Sequence, residues 1–390
     1  NSDGEFIQKG RIVAGAYDYH LMRGLGEQAK NWYLISDVAP VDPVSPIDPV
    51  DPTVPVDPVN PAKPVDPVVR PVVPTKMITR PEAGSYLANM SAASNMFNLR
   101  LHDRGGETLY TDAITGEKKT TSLWMRNVGG HNTSKDSSGQ LDTQTNRYVL
   151  QLGGDLGKWS FDGTDSLHIG ALAGYGNAQS TTDSNVTGYR SKGQVNGYSL
   201  GLYGTWYQNA EAQTGAYVDS WAQYSWFNNS VKGDGLPQES YKSQGVSASL
   251  EGGYSWKLGE DSKKNRYFSE PNAQVIGSNI QADSLTENNG TRVSTQGNGD
   301  VQSRVGVRAS IITHSEKQQP VFQPYLEANW INNSQNAGAT LNGASIGQRG
   351  SKNIAEVRAG VDGQLTQRVN LWGNIGQQMG SESYRDTSAK

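Results

Sequence analysis

Short segments in which polar and apolar residues alternate recur through residues 105–390, and they constrain the fold more than any other feature of the chain. In the segment VSASLEGGYSWK (246–257), Leu250 and Trp256 fall on one face and Glu251 falls on the other. A period of two residues is typical of β-strands whose two faces meet different surroundings. A soluble β-sandwich also alternates, so the period alone leaves more than one all-β fold open.

Charged residues stand in the middle of several of these segments, whereas tryptophans and tyrosines lie on the opposite face near the segment ends. A transmembrane β-barrel has a polar interior, and its outer face carries an apolar band between two aromatic girdles. The distribution therefore favours an all-β fold, an antiparallel transmembrane β-barrel over residues 105–390. Whether the interior charges pair with one another or only solvate a pore stays open. The residues expected to face the interior are Arg126, Glu251, Arg304, Arg308, Glu327, Glu356 and Arg358.

The alternating pattern places eleven strands, and single-chain bacterial barrels have an even number of strands. We therefore expect a twelfth strand that the sequence up to Lys390 lacks. Long and short connections alternate along the chain, as outer loops and periplasmic turns do in such barrels. The long outer loops are predicted at 131–145, 179–193, 229–240, 282–299 and 333–351. The strands are predicted near 122–130, 146–156, 166–178, 194–207, 215–228, 241–257, 267–281, 300–313, 321–332, 352–363 and 368–378.

Residues 79–104 predict a single helix with a polar surface. Pro81 suits the first helical position, Glu82 suits the positive end of the helix dipole, and Gly105 supplies a C-terminal stop. No residue between 83 and 99 is charged, yet serine and asparagine are too frequent for a helix in lipid. Such a thin helix fits a narrow, wet pore, and the alternative is a buried helix of a soluble domain. The residues expected to contact the pore wall are Tyr86, Asn89, Ser91, Ser94, Asn95, Asn98, Arg100 and Arg104, with both arginines at the periplasmic mouth.

The first 75 residues divide into two parts. Residues 1–37 alternate weakly and are too short to close a core of their own, so we interpret them as the end of a longer, β-helix-type domain. Residues 38–75 carry a proline at every third position from Pro40 to Pro67, which predicts polyproline II. At about 3.1 Å per residue this segment reaches on the order of 110 Å. We therefore predict a stiff spacer.

The residues that most often carry chemistry form no cluster in this sequence. There is no cysteine, and the five histidines are scattered, so we predict no catalytic residue, no metal and no cofactor. The segment GYSLG matches the G-x-S-x-G pattern of hydrolases, but that pattern requires a strand-to-helix turn and Ser199 falls mid-strand. An open porin is one alternative function, and a surface hydrolase using Ser199 or His131 is another. A net charge of −4 gives no reason to expect nucleic acid as a partner.

Four segments together resemble the type V autotransporters, in particular the AIDA-like and antigen-43-like adhesins with a pertactin-like passenger. GAYDYHLMRG (15–24) and NWYLIS (31–36) resemble the passenger end known as the autochaperone. MFNLRLHDR (96–104) resembles the junction between helix and barrel, and LWMRNVGG (123–130) resembles the first barrel strand. The sequence departs from that family at its C-terminal end, where relatives have a final strand with a terminal aromatic residue.

The resemblance implies a twelve-stranded translocator that holds the helix in its pore and lies in the lipid of the bacterial outer membrane. It implies export of the protein's own N-terminal passenger domain, an adhesin, and anchoring of that passenger so that residues 1–75 lie at the cell surface. The partners it implies are the passenger itself, the barrel-assembly machinery and periplasmic chaperones.

Overall fold

A computed structural model describes residues 4–38, 76–104, 108–111, 118–121, 123–209, 214–297, 301–313, 321–366 and 369–390. Residues 39–75, which hold the predicted polyproline spacer, lie outside that part of the chain. Within the described residues, no helix has both the length and the apolar character that a membrane span requires.

The described part consists of β-strands and one α-helix. In chain order the elements are β1 Ile12–Ala14, β2 Tyr17–Arg23, β3 Trp32–Ile35, α1 Pro81–Asn95, β4 Thr108–Thr111, β5 Lys118–Thr121, β6 Trp124–Lys135, β7 Leu141–Trp159, β8 Ser166–Ser184, β9 Arg190–Tyr207, β10 Gly215–Gly233, β11 Gln238–Glu260, β12 Arg266–Ala282, β13 Leu285–Thr286, β14 Arg292–Gln296, β15 Val301–Ile312, β16 Val321–Asn333, β17 Gly338–Leu341, β18 Ala344–Gly347, β19 Asn353–Thr366, β20 Val369–Gly380 and β21 Arg385–Ala389.

Twelve of the strands form a closed antiparallel barrel, which confirms the predicted fold class. Strands β6 to β12, β15, β16 and β19 to β21 follow one another round the wall, and β21 pairs with β6 to close it. The prediction that a twelfth strand is absent was therefore wrong. That strand is RDTSA (385–389), which pairs with β20 on one side and β6 on the other. It escaped prediction because its residues are polar or small and show no apolar alternation.

The outer face of the wall is apolar and the inner face is polar. Leu202, Leu250 and Leu326 point outward and are 59%, 60% and 61% exposed. Asp219 and Glu251, on strands β10 and β11, are buried inside. Exposed outward aromatics form two groups, one mostly near the middle of the long strands and one toward their turn end, as in two interfacial girdles. They are Tyr148, Tyr175, Tyr198, Tyr224, Trp226 and Trp330 in one group and Trp159, Tyr254, Trp256, Tyr267 and Phe322 in the other.

The connections differ between the two ends of the barrel. One end, here the turn end, carries turns such as 160–165 and 261–265, and the opposite end is the loop end. Three of the predicted long loops, at 131–145, 179–193 and 229–240, are wrong. Most of their polar residues belong to the strands on either side. The connections they leave at the loop end are 136–140, 185–189 and 234–237. The other two predicted loops, at 282–299 and 333–351, contain β13, β14, β17 and β18, which pair as a four-stranded sheet, here the loop sheet.

Helix α1 lies inside the barrel, and it is shorter than predicted. Pro81 is its first residue, as the sequence indicated, but the helix ends at Asn95 instead of continuing to residue 104. It packs against β7 to β10 and therefore lies off the barrel axis. After the helix the chain extends along the wall, and only residues Leu101–Asp103 form a further short 3-10 turn.

Residues 4–38 form a small unit, here the stem, which contacts the loop end of the barrel. Strands β1, β2 and β3 pair in antiparallel fashion. The rungs of a β-helix are parallel, so the predicted β-helix-type structure is not what the described residues adopt. The reason is the two-residue connection between β1 and β2, in which Gly15 has a φ of +56°; a parallel pair needs a much longer crossover.

Candidate functional site: the barrel interior

The loop end of the interior is closed by apolar packing. Residues from the stem, from α1, from the barrel wall and from the loop sheet meet in one buried group, here the mouth cluster. Its members are Ala16, Ala83, Tyr86, Leu87, Leu141, Val231, Val293, Ala337, Ala339, Leu341 and Ile346. Backbone hydrogen bonds reinforce the junction, since Arg80 N donates to Ala16 O at 3.0 Å and Asp18 N donates to Ile78 O at 2.9 Å. The stem and the start of the helix are therefore one packed unit.

A buried network of charges surrounds the mouth cluster. The Arg11 guanidinium forms two hydrogen bonds to Asp18, at 2.6 and 2.9 Å, and two to Glu82, also at 2.6 and 2.9 Å. Glu287 of the loop sheet region accepts from Arg80 Nη2 at 2.5 Å and from Tyr86 OH at 2.7 Å. Burial by itself would lower the pKa of Arg11, but the carboxylates of Asp18 and Glu82 outweigh burial and raise it. Arg11 is thus held in its charged form, with stem and helix as its two partners.

The first three turns of α1 fit a wall of small and polar side chains. Ser85 Oγ donates to Ser191 Oγ at 2.8 Å, and Asn89 Nδ2 donates to Ser230 O at 3.1 Å. The helix carries alanine, glycine and serine at many positions, which allows its backbone to approach the wall closely. This thin helix occupies the side of the interior next to β7 to β10.

The chain leaves the helix where the wall offers space for larger side chains. Met96 and Phe97 lie against Gly176 and Gly174, and a Cβ at Gly176 would come within 2.3 Å of Met96 Sδ. The end of the helix at Asn95 thus coincides with a groove that only glycine leaves open.

Side chains of the wall replace the hydrogen bonds that a longer helix would have made. Gln223 Nε2 and Gln151 Nε2 donate to Phe97 O at 3.0 and 3.1 Å. Trp221 Nε1 and Gln274 Nε2 donate to Leu99 O at 3.0 and 2.9 Å. Because buried backbone groups need partners, this wall stabilises an extended segment over residues 96–101. The predicted helix to residue 104 failed for this reason.

The predicted interior charges all lie on the inner face, and most of them pair. Arg100 Nη2 lies 2.8 Å from Glu356 Oε1. Arg308 lies 3.3 Å from Glu327 and 2.7 Å from Asp362. Removing one member of such a pair costs about 3–5 kcal/mol, because the other charge stays buried.

Three further interior charges form hydrogen bonds, two of them to the backbone of the segment after the helix and one to a side chain of the wall. Glu251 accepts from Leu101 N at 3.0 Å and lies 3.2 Å from Arg304. Arg126 donates to Asn98 O at 3.2 Å and lies 3.6 Å from Asp103. Arg358 donates to Asn374 Oδ1 at 2.6 Å.

The two arginines expected at the periplasmic mouth lie at different depths. Arg104 pairs with Asp219 and donates to Thr205 Oγ1 at 3.0 Å, near the turn end. Arg100 lies instead near Glu327, midway along β16, because that glutamate and Glu356 supply carboxylates there.

Ser91, Ser94 and Asn95 lie on the side of α1 that faces away from β7 to β10, and Asn98 lies in the extended segment after the helix. Ser91, Asn95 and Asn98 line a cavity of about 180 Å³. Ser94 lies against Gly297, next to the loop sheet. Asn95 Nδ2 donates to Ser91 O at 2.9 Å within the helix itself. These residues therefore do not contact the wall as tightly as Tyr86 and Asn89 do.

Several interior residues were missed from the sequence. Arg11, Asp18 and Glu287 lie far apart in the chain, and no local pattern links them. Asp103 lies 2.5 Å from Lys390, in a polar tail that gave no strand signal. Glutamines inside the wall were missed because an uncharged polar residue on a strand is compatible with either face. The period of two is the signal that could have found one of them, because Gln223 shares a face of β10 with Asp219 and Ser225.

Histidine and serine residues do meet, but not as a hydrolase needs. Ser166 Oγ lies 2.5 Å from His168 Nε2, and His168 Nδ1 lies 2.6 Å from Asp155 Oδ2. Ser166 is 2% exposed and opens a regular strand, whereas a hydrolase nucleophile sits on an exposed turn. Ser199 is buried within β9, and His131 contacts Asn146 on the surface. Within the described ranges, no group of three or more His, Asp and Glu residues could hold a metal ion.

Comparison with known proteins agrees with this arrangement. Residues 123–376 match the family described as Autotransporter beta-domain. The chain is 49% identical over its whole length to the uncharacterized protein YuaQ of Escherichia coli K12, of which it spans 27%. It is 34% identical over 97% of its length to the autotransporter adhesin AIDA-I of Escherichia coli, of which it spans 28%. The chain thus spans about a quarter of the length of these two relatives.

A solved structure has the same architecture. The transport unit of the autotransporter AIDA-I from Escherichia coli superposes with a TM-score of 0.71 at 34% identity, covering 80% of this chain and 97% of that one. The resemblance inferred from the sequence is thereby confirmed, and the twelve-stranded wall is an outer-membrane barrel. The relatives named here are an adhesin, its transport unit and an uncharacterized protein, and none is described as an enzyme. This chain belongs to the autotransporter β-domain family.

Proposed function

We propose that this chain is the translocator unit of an autotransporter, which exports the polypeptide that precedes it and anchors that polypeptide at the cell surface. The observation that carries the proposal is the path of the chain through its own barrel. The start of α1 and the stem lie at the loop end, and Arg104, which precedes the first wall strand in the chain, lies near the turn end. One polypeptide therefore runs from one side of the wall to the other.

The contacts at the loop end support anchoring. The stem is joined to α1 by the mouth cluster and by the bidentate bonds of Arg11, so a pull on the stem is carried into the barrel. We propose that residues 1–37 are the end of the passenger, that 38–75 are a spacer, that 79–104 are the pore segment and that 105–390 are the translocator. Adhesion by the exported part is proposed from the relative AIDA-I, which is described as an adhesin.

The partners follow from the same proposal. A wall with an apolar outer band must be inserted into lipid, and unpaired strand edges must not be exposed there on the way. We propose that the barrel-assembly machinery and periplasmic chaperones supply that protection. We also propose that the chain is not an enzyme, since Ser166 and Ser199 are both buried within strands.

An epitope tag before Gly4 tests export. Intact cells that express the tagged chain are treated with protease, and the tag is followed together with the folded barrel on a gel. We expect the tag to be lost while the barrel survives. A tag that resists protease until the outer membrane is opened, on a barrel that is folded, would contradict export.

An open channel is the alternative function, and conductance separates it from a plugged translocator. Bilayers holding the whole chain are compared with bilayers holding a variant that lacks residues 76–104. We expect a much larger unit conductance for the variant, because α1 and residues 96–104 occupy the interior. Equal currents would favour the channel.

A further inference from the structure

The longest strands of the barrel continue well beyond the aromatic girdle toward the loop end. Strand β9 begins at Arg190, eight residues before the girdle residue Tyr198, and β10 continues for seven residues after Trp226. On β16 only three residues follow Trp330 before the strand ends. At about 3.3 Å per residue, β9 and β10 extend on the order of 25 Å past the girdle. This side of the barrel wall therefore stands far out of the apolar layer.

A band of carboxamide side chains covers the outward face of these strands next to the girdle. Asn196 pairs across the strands with Asn177 on one side and with Asn228 on the other, and Gln194 pairs with Gln179. These positions alternate with buried ones and therefore point outward. A carboxamide both donates and accepts hydrogen bonds, which suits it to the hydroxyl groups of a sugar.

A cleft of about 320 Å³ opens in this band, between β9, β10 and β11. Most of the residues that line it are polar and lie on the outward face, namely Gln194, Asn196, Asn228, Ser230, Ser240 and Lys242. Within the described ranges, the side chains of Gln194, Asn228 and Ser240 form no hydrogen bond. The cleft thus presents uncharged donors and acceptors that are free to bind a ligand.

Two lysines face each other on the far side of the amide band. Lys192 of β9 and Lys232 of β10 are direct cross-strand neighbours, and both are exposed on the outward face. Like charges directly opposite each other destabilise a sheet. Neither lysine forms an ion pair or a side-chain hydrogen bond with any residue that the structure describes. The acids next to them are engaged elsewhere, since Asp183 and Asp234 accept hydrogen bonds from Arg190 at 2.6 and 2.8 Å.

We propose that the outward face of β8 to β11 binds a glycolipid of the surrounding membrane leaflet, one whose sugar headgroup carries phosphate. Its acyl chains lie against the exposed leucines below the girdle, such as Leu200 and Leu202. Its sugars contact the amide band and the cleft. A phosphate group lies between Lys192 and Lys232, where it offsets the repulsion between the two ammonium groups.

The height of the lysines favours a glycolipid over a phospholipid. Lys192 and Lys232 lie six positions beyond Tyr198 and Trp226, on the order of 20 Å along the strands. A phospholipid phosphate lies at the level of the girdle, so it stays too low to meet them. A headgroup of several sugars spans that interval, and the carboxamides lie along its path. The inference rests on the proposed function only in placing the loop end outside the cell.

Binding to the purified protein tests the proposal without reference to export. The whole chain, folded in micelles of a non-ionic detergent, is titrated with rough-type lipopolysaccharide, and bound lipid is followed by native mass spectrometry. Phosphatidylglycerol and inorganic phosphate are the comparisons, because one lacks sugar and the other lacks lipid. We expect saturable binding of lipopolysaccharide at a concentration about ten-fold or more below that needed for phosphatidylglycerol. Equal binding of either comparison compound would overturn the proposal, whereas failure of export would show only in the epitope-tag experiment.

Variants locate the site on the barrel. Lys192→Gln combined with Lys232→Gln should raise the Kd for lipopolysaccharide about ten-fold or more, because two charges near the headgroup are lost. Lys257→Gln combined with Lys263→Gln removes two exposed lysines at the turn end and should leave the Kd unchanged. An equal Kd in these two double variants would overturn the proposal.

The amide band is tested separately from the lysines. Gln194→Ala combined with Asn228→Ala should raise the Kd for lipopolysaccharide by about five-fold and leave the weak binding of phosphatidylglycerol unchanged. An unchanged Kd for lipopolysaccharide would overturn the assignment of sugars to the band. If a variant does not fold, the comparison of the two lipids on the wild type still decides.

Discussion

The loop half and the turn half of the barrel interior are filled in different ways. In the loop half a thin helix packs against small side chains, and the mouth cluster excludes water from its start. In the turn half an extended segment is held by amides and charges, with a cavity beside it. The first arrangement recognises the side chains of α1, and the second recognises the backbone of residues 96–101.

This difference shows which interactions hold α1 and residues 96–104, here the plug, inside the barrel. Apolar packing and bidentate ion pairs fix the register of α1 relative to the stem and the loop sheet. Backbone recognition lower down holds the chain extended without requiring particular side chains there, apart from Met96 and Phe97 in their glycine groove. The predictions that follow compare substitutions in the two halves, beginning with the largest expected effect.

Removing a buried carboxylate from the turn half should cost the most. In Glu356→Ala both Arg100 and Arg358 lose a buried partner, so we expect a loss of about 3–5 kcal/mol in the free energy of unfolding. Urea unfolding of the barrel in detergent, followed by tryptophan fluorescence, measures it. Glu260→Ala breaks an exposed pair with Lys257 and should change little. Equal losses in the two variants would show that the interior charges are only solvated.

Filling the glycine groove should displace the end of the plug. In Gly176→Leu the new side chain meets Met96, and overpacking of this kind costs about 1–3 kcal/mol. Residues 96–104 should then become sensitive to protease added from the turn end. Gly129→Leu is the matched control, because a Cβ there meets no atom within 4 Å. Met96→Ala combined with Gly176→Leu should recover part of the loss, and no recovery would argue against the groove.

A single hydroxyl in the loop half should have a moderate effect. Tyr86→Phe removes the 2.7 Å hydrogen bond to Glu287, and hydrogen bonds to charged groups contribute about 1.5–3 kcal/mol. Tyr241→Phe removes a longer, neutral contact with Asn89 at 3.3 Å and should cost less, about 0.5–1.5 kcal/mol. The same urea measurement compares them. A greater loss for Tyr241→Phe would contradict the role given to the charge network.

The smallest effect concerns the turn at residues 160–165, outside the membrane. Partial burial would raise the pKa of Asp165, but hydrogen bonds from Trp206 and from the backbone of Asp162 and Phe161 outweigh it and hold the pKa well below its usual range. A lowered pKa stabilises the fold above the unfolded value of about 3.9, and that stabilisation is lost as pH falls through the lower folded value. The protection factors of the turn amides against hydrogen exchange should therefore stay constant from pH 7 to about pH 4.

Asp165→Asn is the test of that pH dependence. In the variant, the turn amides should have lower protection factors at pH 7. Those protection factors should not fall further below the unfolded pKa, as they do in the wild type. An unchanged pH profile in Asp165→Asn would mean that another group controls the turn.

The sequence was most informative where a residue's face was decided by the period of its strand. Glu251, Arg304 and Glu327 were expected inside because they alternate with large apolar residues that must face lipid. Pro81 marked the helix start because only a first-turn position tolerates its missing N–H.

Other features could not be read because they depend on distant partners. The helix end at Asn95 is decided by Gln223, Trp221 and Gln274, which bond a backbone more than a hundred residues away. Arg11 and Glu82 are separated by a 71-residue interval, and each looks like an ordinary surface charge in its own segment. The five residues of β21, four of them polar, form a strand only because β20 and β6 offer edges with which they pair.

The central claim is that α1 lies inside the wall against β9, and a disulfide tests it directly. The chain has no cysteine, so Ser85→Cys with Ser191→Cys introduces the sole pair, at positions whose hydroxyl oxygens are 2.8 Å apart. We expect these residues to cross-link in the outer membrane of intact cells, which changes the mobility of the denatured chain on a gel. Ser85→Cys with Ser310→Cys, on the β15 wall toward the turn end, should stay reduced. A folded barrel in which the Ser85–Ser191 positions fail to cross-link, or cross-link no better than the control pair, would contradict the account.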